Sequence, residues 1–173
     1  MDWNNYLESI DDSHQMTTSK NHISMICSIV KDCSGLILEI GSHAGLSTAA
    51  IALAANNAKI ISIDLSDTIS EDYRINYWKN LGINNIYPET CSGSYFLLNT
   101  KDKYDYIFHD SIHGSRAMQE YLACANVTKN LFIHDFEQLK DHEQKELISL
   151  FNKTDISFDN RGRALFVGCE SCL

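Results

Sequence analysis

A three-layer α/β sandwich on a mainly parallel seven-stranded sheet, with an antiparallel strand near the C-terminus, is the fold this sequence predicts. Three observations lead there. Short apolar runs alternate with longer amphipathic stretches along the 173 residues, the rhythm of strand–helix units. The runs LILEI, KIISID, YDYIF and NLFIH are apolar throughout, as strands covered on both faces must be. The last two strands are joined only by residues 160–163, so one of that pair is read as antiparallel.

In order, strands are predicted at 36–40, 60–64, 85–88, 104–108, 131–134, 155–158 and 164–168. Helices are predicted at 20–31, 46–56, 72–81, 114–126 and 137–152, with a weaker helical turn over 94–98. Pro88 is the one proline and no linker or repeat divides the chain, so residues 1–173 read as a single domain with 1–19 as an N-terminal extension. Trp3, Tyr6 and Met16 are the conspicuous apolar residues of that extension.

Composition narrows the function. Net charge is −9, from 23 acidic and 14 basic residues, and no cluster of Lys and Arg appears. A nucleic-acid partner is therefore not expected. No apolar run is as long as a membrane span, and the start MDWNNYLESIDD is acidic, so the expectation is a cytoplasmic protein with no membrane partner. The six cysteines are expected as free thiols; Cys169 and Cys172 form a C-x-x-C without the second pair that a zinc site needs.

In open sheets of this kind ligands bind beyond the carboxyl ends of the strands. The polar residues there fall at 39–45, 64, 90–94, 109–113 and 134–137. Gly41 and Gly45 follow the first strand as G-x-x-x-G, whereas a dinucleotide fingerprint would need glycine at the positions held by His43 and Leu46. Glu39 would repel phosphate but suits an ammonium or hydroxyl group. Asp64 ends the second strand, 23 residues after Gly41, where a carboxylate can accept ribose hydroxyls. In this order these residues favour a nucleoside without phosphates.

LEIGSHAGLSTAAIA followed by IISIDLS resembles the start of a class I S-adenosylmethionine-dependent methyltransferase, and E-I-G-x-x-x-G-x-S resembles its small-molecule O-methyltransferase branches. The resemblance implies a Rossmann-like fold and S-adenosylmethionine as cofactor. It places the turn of Gly41, Ser42 and Gly45 against the methionine part, Asp64 against the ribose, and Cys91 and Ser92 of TCSGSY beside the adenine.

The block YDYIFHDSIHGSRAMQEY carries D-x-x-H after the fourth strand, and NLFIHDFEQL carries H-D after the fifth. If these strands are neighbours, Asp110 and Asp135 converge at one edge of the cofactor pocket. Two such carboxylates need a compensating cation or a shared proton, and magnesium is a natural solution. His113, one helical turn beyond Asp110, can remove the proton from a hydroxyl as it is methylated. The pattern resembles the metal-dependent O-methyltransferases grouped as methyltransferase family 24. That resemblance implies Asp110 and Asp135 as metal ligands and His113 as general base. It departs at Phe136, where catechol-type enzymes carry Asn, and in lacking Gly-Gly before the fifth strand.

Blander readings stand beside these. Asp110 could cap the helix beginning near Gly114, His109 and His134 could be satisfied by backbone groups, and DHEQKE could be a solvated helix face. His14, His22, His43 and His142 read as structural or exposed, with His43 near enough to the turn to be a minor candidate. The segment before the first strand offers little pocket wall, so a homodimer partner or a flexible N-terminal segment is expected to complete the site. The function expected is methylation of a small-molecule hydroxyl, on a sugar or natural product. The rivals are a non-catalytic S-adenosylmethionine-binding module and a nicotinamide-dependent oxidoreductase.

Overall fold

A computed structural model describes residues 1–10, 18–65 and 69–169. Its sheet has seven strands: β1 (Leu36–Ile40), β2 (Lys59–Asp64), β3 (Ile86–Thr90), β4 (Tyr106–His109), β5 (Asn130–His134), β6 (Lys153–Phe158) and β7 (Ala164–Cys169). They lie in the order β3-β2-β1-β4-β5-β7-β6. β1 pairs in parallel with both β2 and β4, β2 with β3, and β4 with β5. β7 is antiparallel to both of its neighbours, and the short connection from β6 demands this of the β6–β7 pair. The order reverses between β1 and β4, which opens a crevice at their carboxyl ends.

The strands separate two apolar layers by simple alternation. Ile37, Ile60, Phe108, Phe132 and Val167 face one side and meet buried residues of α1 (Trp3–Ser9), α2 (Lys20–Val30), α3 (Leu46–Ala54) and α4 (Glu71–Asn80), including Tyr6, Ile23, Ala49 and Trp78. Leu38, Ile40, Ile107, Leu131 and Phe166 face the other side, against α5 (Gly93–Asn99), α6 (Met118–Val127) and α7 (Asp141–Ile148) through Leu97, Tyr121 and Leu147. None of the helices among the described residues is long and apolar enough to cross a membrane.

Capping serines set three helix starts: Ser19, Ser70 and Ser92 accept hydrogen bonds from the backbone N–H of His22, Tyr73 and Tyr95. The elements depart from expectation in three places, one being the helix expected over 114–126, which is a 3-10 turn, Gly114–Ala117, followed by α6. Residues 3–9 form α1, where the sequence was read only as an extension. Its signal was present, because Asp2 caps Asn4 and Asn5, and Tyr6 is buried, its hydroxyl 2.7 Å from that of Tyr77. The helix expected over 137–152 is instead a 3-10 turn, Phe136–Gln138, followed by α7. Asp135, at φ 55°, and extended Leu139 flank that turn and break the helix. Nor is DHEQKE wholly solvated. Glu143 is buried and accepts from the Lys140 N–H and the Ser115 hydroxyl. Met16, His14 and Cys172 lie outside the described residues.

Candidate functional site

At the reversal between β1 and β4 lies a cavity of about 370 Å³, within the usual range for small-molecule sites. Its wall runs from Gly41, His43 and Asp64 past Cys91, Ser92 and Gly93 to Asp110, Ser111 and His113. Seven of these nine are strand-end residues singled out from the sequence or its resemblances; Gly93 and Ser111 lie between them in the chain.

The turn after β1 is shaped by two glycines. Gly41 has φ 95°, and a Cβ there would lie 2.3 Å from the carbonyl oxygen of Asp110. Only a bare backbone lets the turn after β1 touch the loop after β4 this closely. Gly45, at φ 78°, faces the Trp78 indole, which a Cβ would meet at 2.7 Å. Asp64 closes the other side, its Oδ2 accepting the backbone N–H of His43 at 2.6 Å.

Two expected cofactor contacts are spent elsewhere. Glu39 does not line the cavity. Alternation along β1 turns its carboxylate toward α3, where it is 0% exposed and accepts hydrogen bonds from Ser47, at 2.6 Å, and Thr48. Burial outweighs those bonds and, with the charges of Asp110 and Asp64, pushes its pKa up to about 7. Ser42 is buried, its hydroxyl accepting from Arg74 Nη1 at 2.8 Å. Ser92 lines the cavity while capping α5, and Cys91 lines it with its thiol pushed up by burial.

The pairing of β4 with β5 brings the second group together. His134 Nδ1 lies 3.0 Å from Asp110 Oδ1 and 3.2 Å from Asp135 Oδ1. His113 Nε2 lies 3.7 Å from Asp135 Oδ2 and 3.9 Å from Asp110 Oδ1. Thr18 donates to Asp110 Oδ2. Burial alone would raise the Asp110 carboxyl, but the hydrogen bonds and charges of His134 and the Thr18 bond hold it below the ordinary value. Burial opposes a charge on His134, and Asp110 and Asp135 outweigh it and raise its pKa. His113 itself precedes the 3-10 turn Gly114–Ala117, so Asp110 is not the cap of that helix. His134 meets carboxylates where backbone partners were expected, and His109 Nε2 meets Glu120 Oε2 at 2.8 Å. Glu120, held also by the Ser94 hydroxyl, lines the cavity. Thr18, Arg74 and Glu120 carry no motif, and sequence reasoning missed them.

No family model matches the chain, and no curated protein sequence matches it. Solved structures do. The O-methyltransferase TomG from Streptomyces achromogenes, involved in tomaymycin synthesis and in complex with SAM, superposes with a TM-score of 0.71 at 11% identity over 96% of this chain and 90% of that one. SAH-bound methyltransferase PaMTH1 from Podospora anserina gives 0.63 at 14% identity, over 98% and 86%. An rRNA methylase from Streptococcus thermophilus gives 0.61 at 12% identity, over 90% and 99%. The chain therefore has the Rossmann-like class I methyltransferase fold.

Proposed function

We propose that the protein transfers a methyl group from S-adenosylmethionine to an oxygen of a small-molecule hydroxyl, on a sugar or natural product. The carrying observation is one continuous cavity wall running from the Gly41 turn and Asp64 to His113. The residues suit this cofactor: a turn with a left-handed glycine, a strand-end carboxylate for ribose hydroxyls, and no phosphate-binding fingerprint. SAM- and SAH-bound structures share the fold.

When bound, S-adenosylmethionine supplies an electrophilic methyl group on its sulfonium. The chain's own work is to hold and deprotonate the acceptor. His113 Nε2, at the cavity edge, takes the hydroxyl proton. Asp135 and Asp110, within 4 Å of that nitrogen, stabilise the imidazolium that results. Leu65 and Ile112 line the mouth of the cavity and are 55% and 45% exposed. They offer an apolar rim to the acceptor or to a second copy in a homodimer.

Magnesium is implied by the resemblance to the metal-dependent branch, but the donor set fits a divalent cation poorly. His134 Nδ1, within 3.2 Å of an oxygen of both Asp110 and Asp135, already supplies the positive partner that this pair of carboxylates needs. Among the described residues no group of three or more His, Cys, Asp or Glu side chains is arranged to hold a metal.

The test is calorimetric titration with S-adenosylhomocysteine and with NAD. Methyl transfer to catechols and sugars follows, with magnesium or with chelator, for wild type and His113→Ala. The expected result is S-adenosylhomocysteine binding in both proteins, with turnover lowered about 100- to 10,000-fold in the variant. Binding of NAD alone would overturn the reading. Cofactor binding with no turnover on any acceptor would favour the non-catalytic module.

A further inference from the structure

Helix α4 reaches the glycine turn from the side opposite the cavity. Arg74 and Trp78 are four residues apart and so share a helix face. The Trp78 indole donates to the Gly45 carbonyl at 2.9 Å, while Arg74 Nη1 donates to Ser42 Oγ at 2.8 Å and stands 3.8 Å from Asp64 Oδ2. Arg74 is 0% exposed. A guanidinium is taken out of water at a large desolvation cost, which is offset only by fixed acceptors and an opposing charge. Here the turn after β1 supplies an acceptor and the carboxylate ending β2 an opposing charge. The same Asp64 oxygen receives the His43 N–H at 2.6 Å, so a hydrogen bond from the turn and the charge of the Arg74 guanidinium meet at it.

We infer that Arg74 is a positioning residue for Asp64. It lines no part of the cavity; it fixes the carboxylate that reads the ribose hydroxyls and ties that carboxylate to the turn. The ligand class this favours is a nucleoside with an intact ribose diol. The inference rests on the S-adenosylmethionine reading above. Arg74 acts through Asp64 and not through general packing, so the two residues must be energetically coupled in ligand binding.

The experiment is a double-mutant cycle read by calorimetric titration with S-adenosylhomocysteine: wild type, Arg74→Met, Asp64→Asn and the double variant. Each single change is expected to weaken binding about tenfold or more, Asp64→Asn through a lost charged hydrogen bond and Arg74→Met through a buried ion pair stripped of one partner. The double variant should bind like Asp64→Asn alone. Arg74→Lys serves in the same cycle if Arg74→Met does not fold. It keeps the charge but loses the planar fork, with an expected loss of about fivefold that disappears in the Asp64→Asn background. Penalties that multiply in the double variant, or unchanged affinity on replacing Arg74, overturn this inference alone. Failure of the wild type to bind S-adenosylhomocysteine overturns it together with the cofactor reading.

Discussion

Glu39 makes folding stability depend on pH in a direction opposite to that of most paired carboxylates. Its pKa is raised by burial from the ordinary 4.5 to about 7. A carboxyl whose folded pKa lies above its unfolded one binds more protons when folded. Its stabilisation is complete below about pH 4.5 and is lost as pH rises through about 7. At about 1.36 kcal/mol for each unit of pKa, the loss above pH 7 is about 3 kcal/mol. Glu39→Gln keeps the shape and retains polar contacts to Ser47 and Thr48 while removing the proton equilibrium. Denaturant unfolding of both proteins from pH 4.5 to 8 isolates the effect, because other titrating groups cancel in the difference. The variant should gain about 3 kcal/mol relative to wild type across that interval. A difference constant with pH would refute the reasoning, since it would mean that Glu39 ionises as freely in the fold as in the unfolded chain.

Gly41→Ala should destabilise the protein by about 2 kcal/mol or more, measured by thermal unfolding, because the new Cβ strikes the Asp110 carbonyl and the backbone is left-handed. Tyr6→Phe removes the hydroxyl that bonds the Leu46 carbonyl and the Tyr77 hydroxyl. It should cost about 1 kcal/mol and speed hydrogen exchange in α1 more than in β1.

Much of the site was legible because its parts are local. A glycine turn after an apolar run, an acid ending the next strand, and D-x-x-H beside H-D each fit within a few residues, and strand pairing brought them to one end of the sheet. Glu39 was misread because proximity in sequence says nothing of which face a strand residue occupies: the one-residue step from Ile40 carries it from the cavity side to the α3 side. Arg74 escaped for a related reason. In EDYRINYWKN an arginine among charged and polar residues reads as solvent-facing, whereas in the fold it meets Ser42 of the turn after β1 and Asp64 at the end of β2. His134 needed a partner supplied by β4, and Thr18 a carboxylate 92 residues away. Such tertiary meetings leave no spacing to detect.

The reversal of strand order also divides the molecule by inheritance. Every residue of the cavity wall from Gly41 to Gly93, with Arg74 behind it, is encoded before the segment 100–103, and His113, His134 and Asp135 after it. One crossover there would exchange the half that carries His113 for another while leaving the glycine turn, Asp64 and Arg74 together. The graft must still present Glu120's counterpart to Gly93 and Ser94, and a backbone to Gly41 at contact distance, so that glycine also marks which halves can be joined.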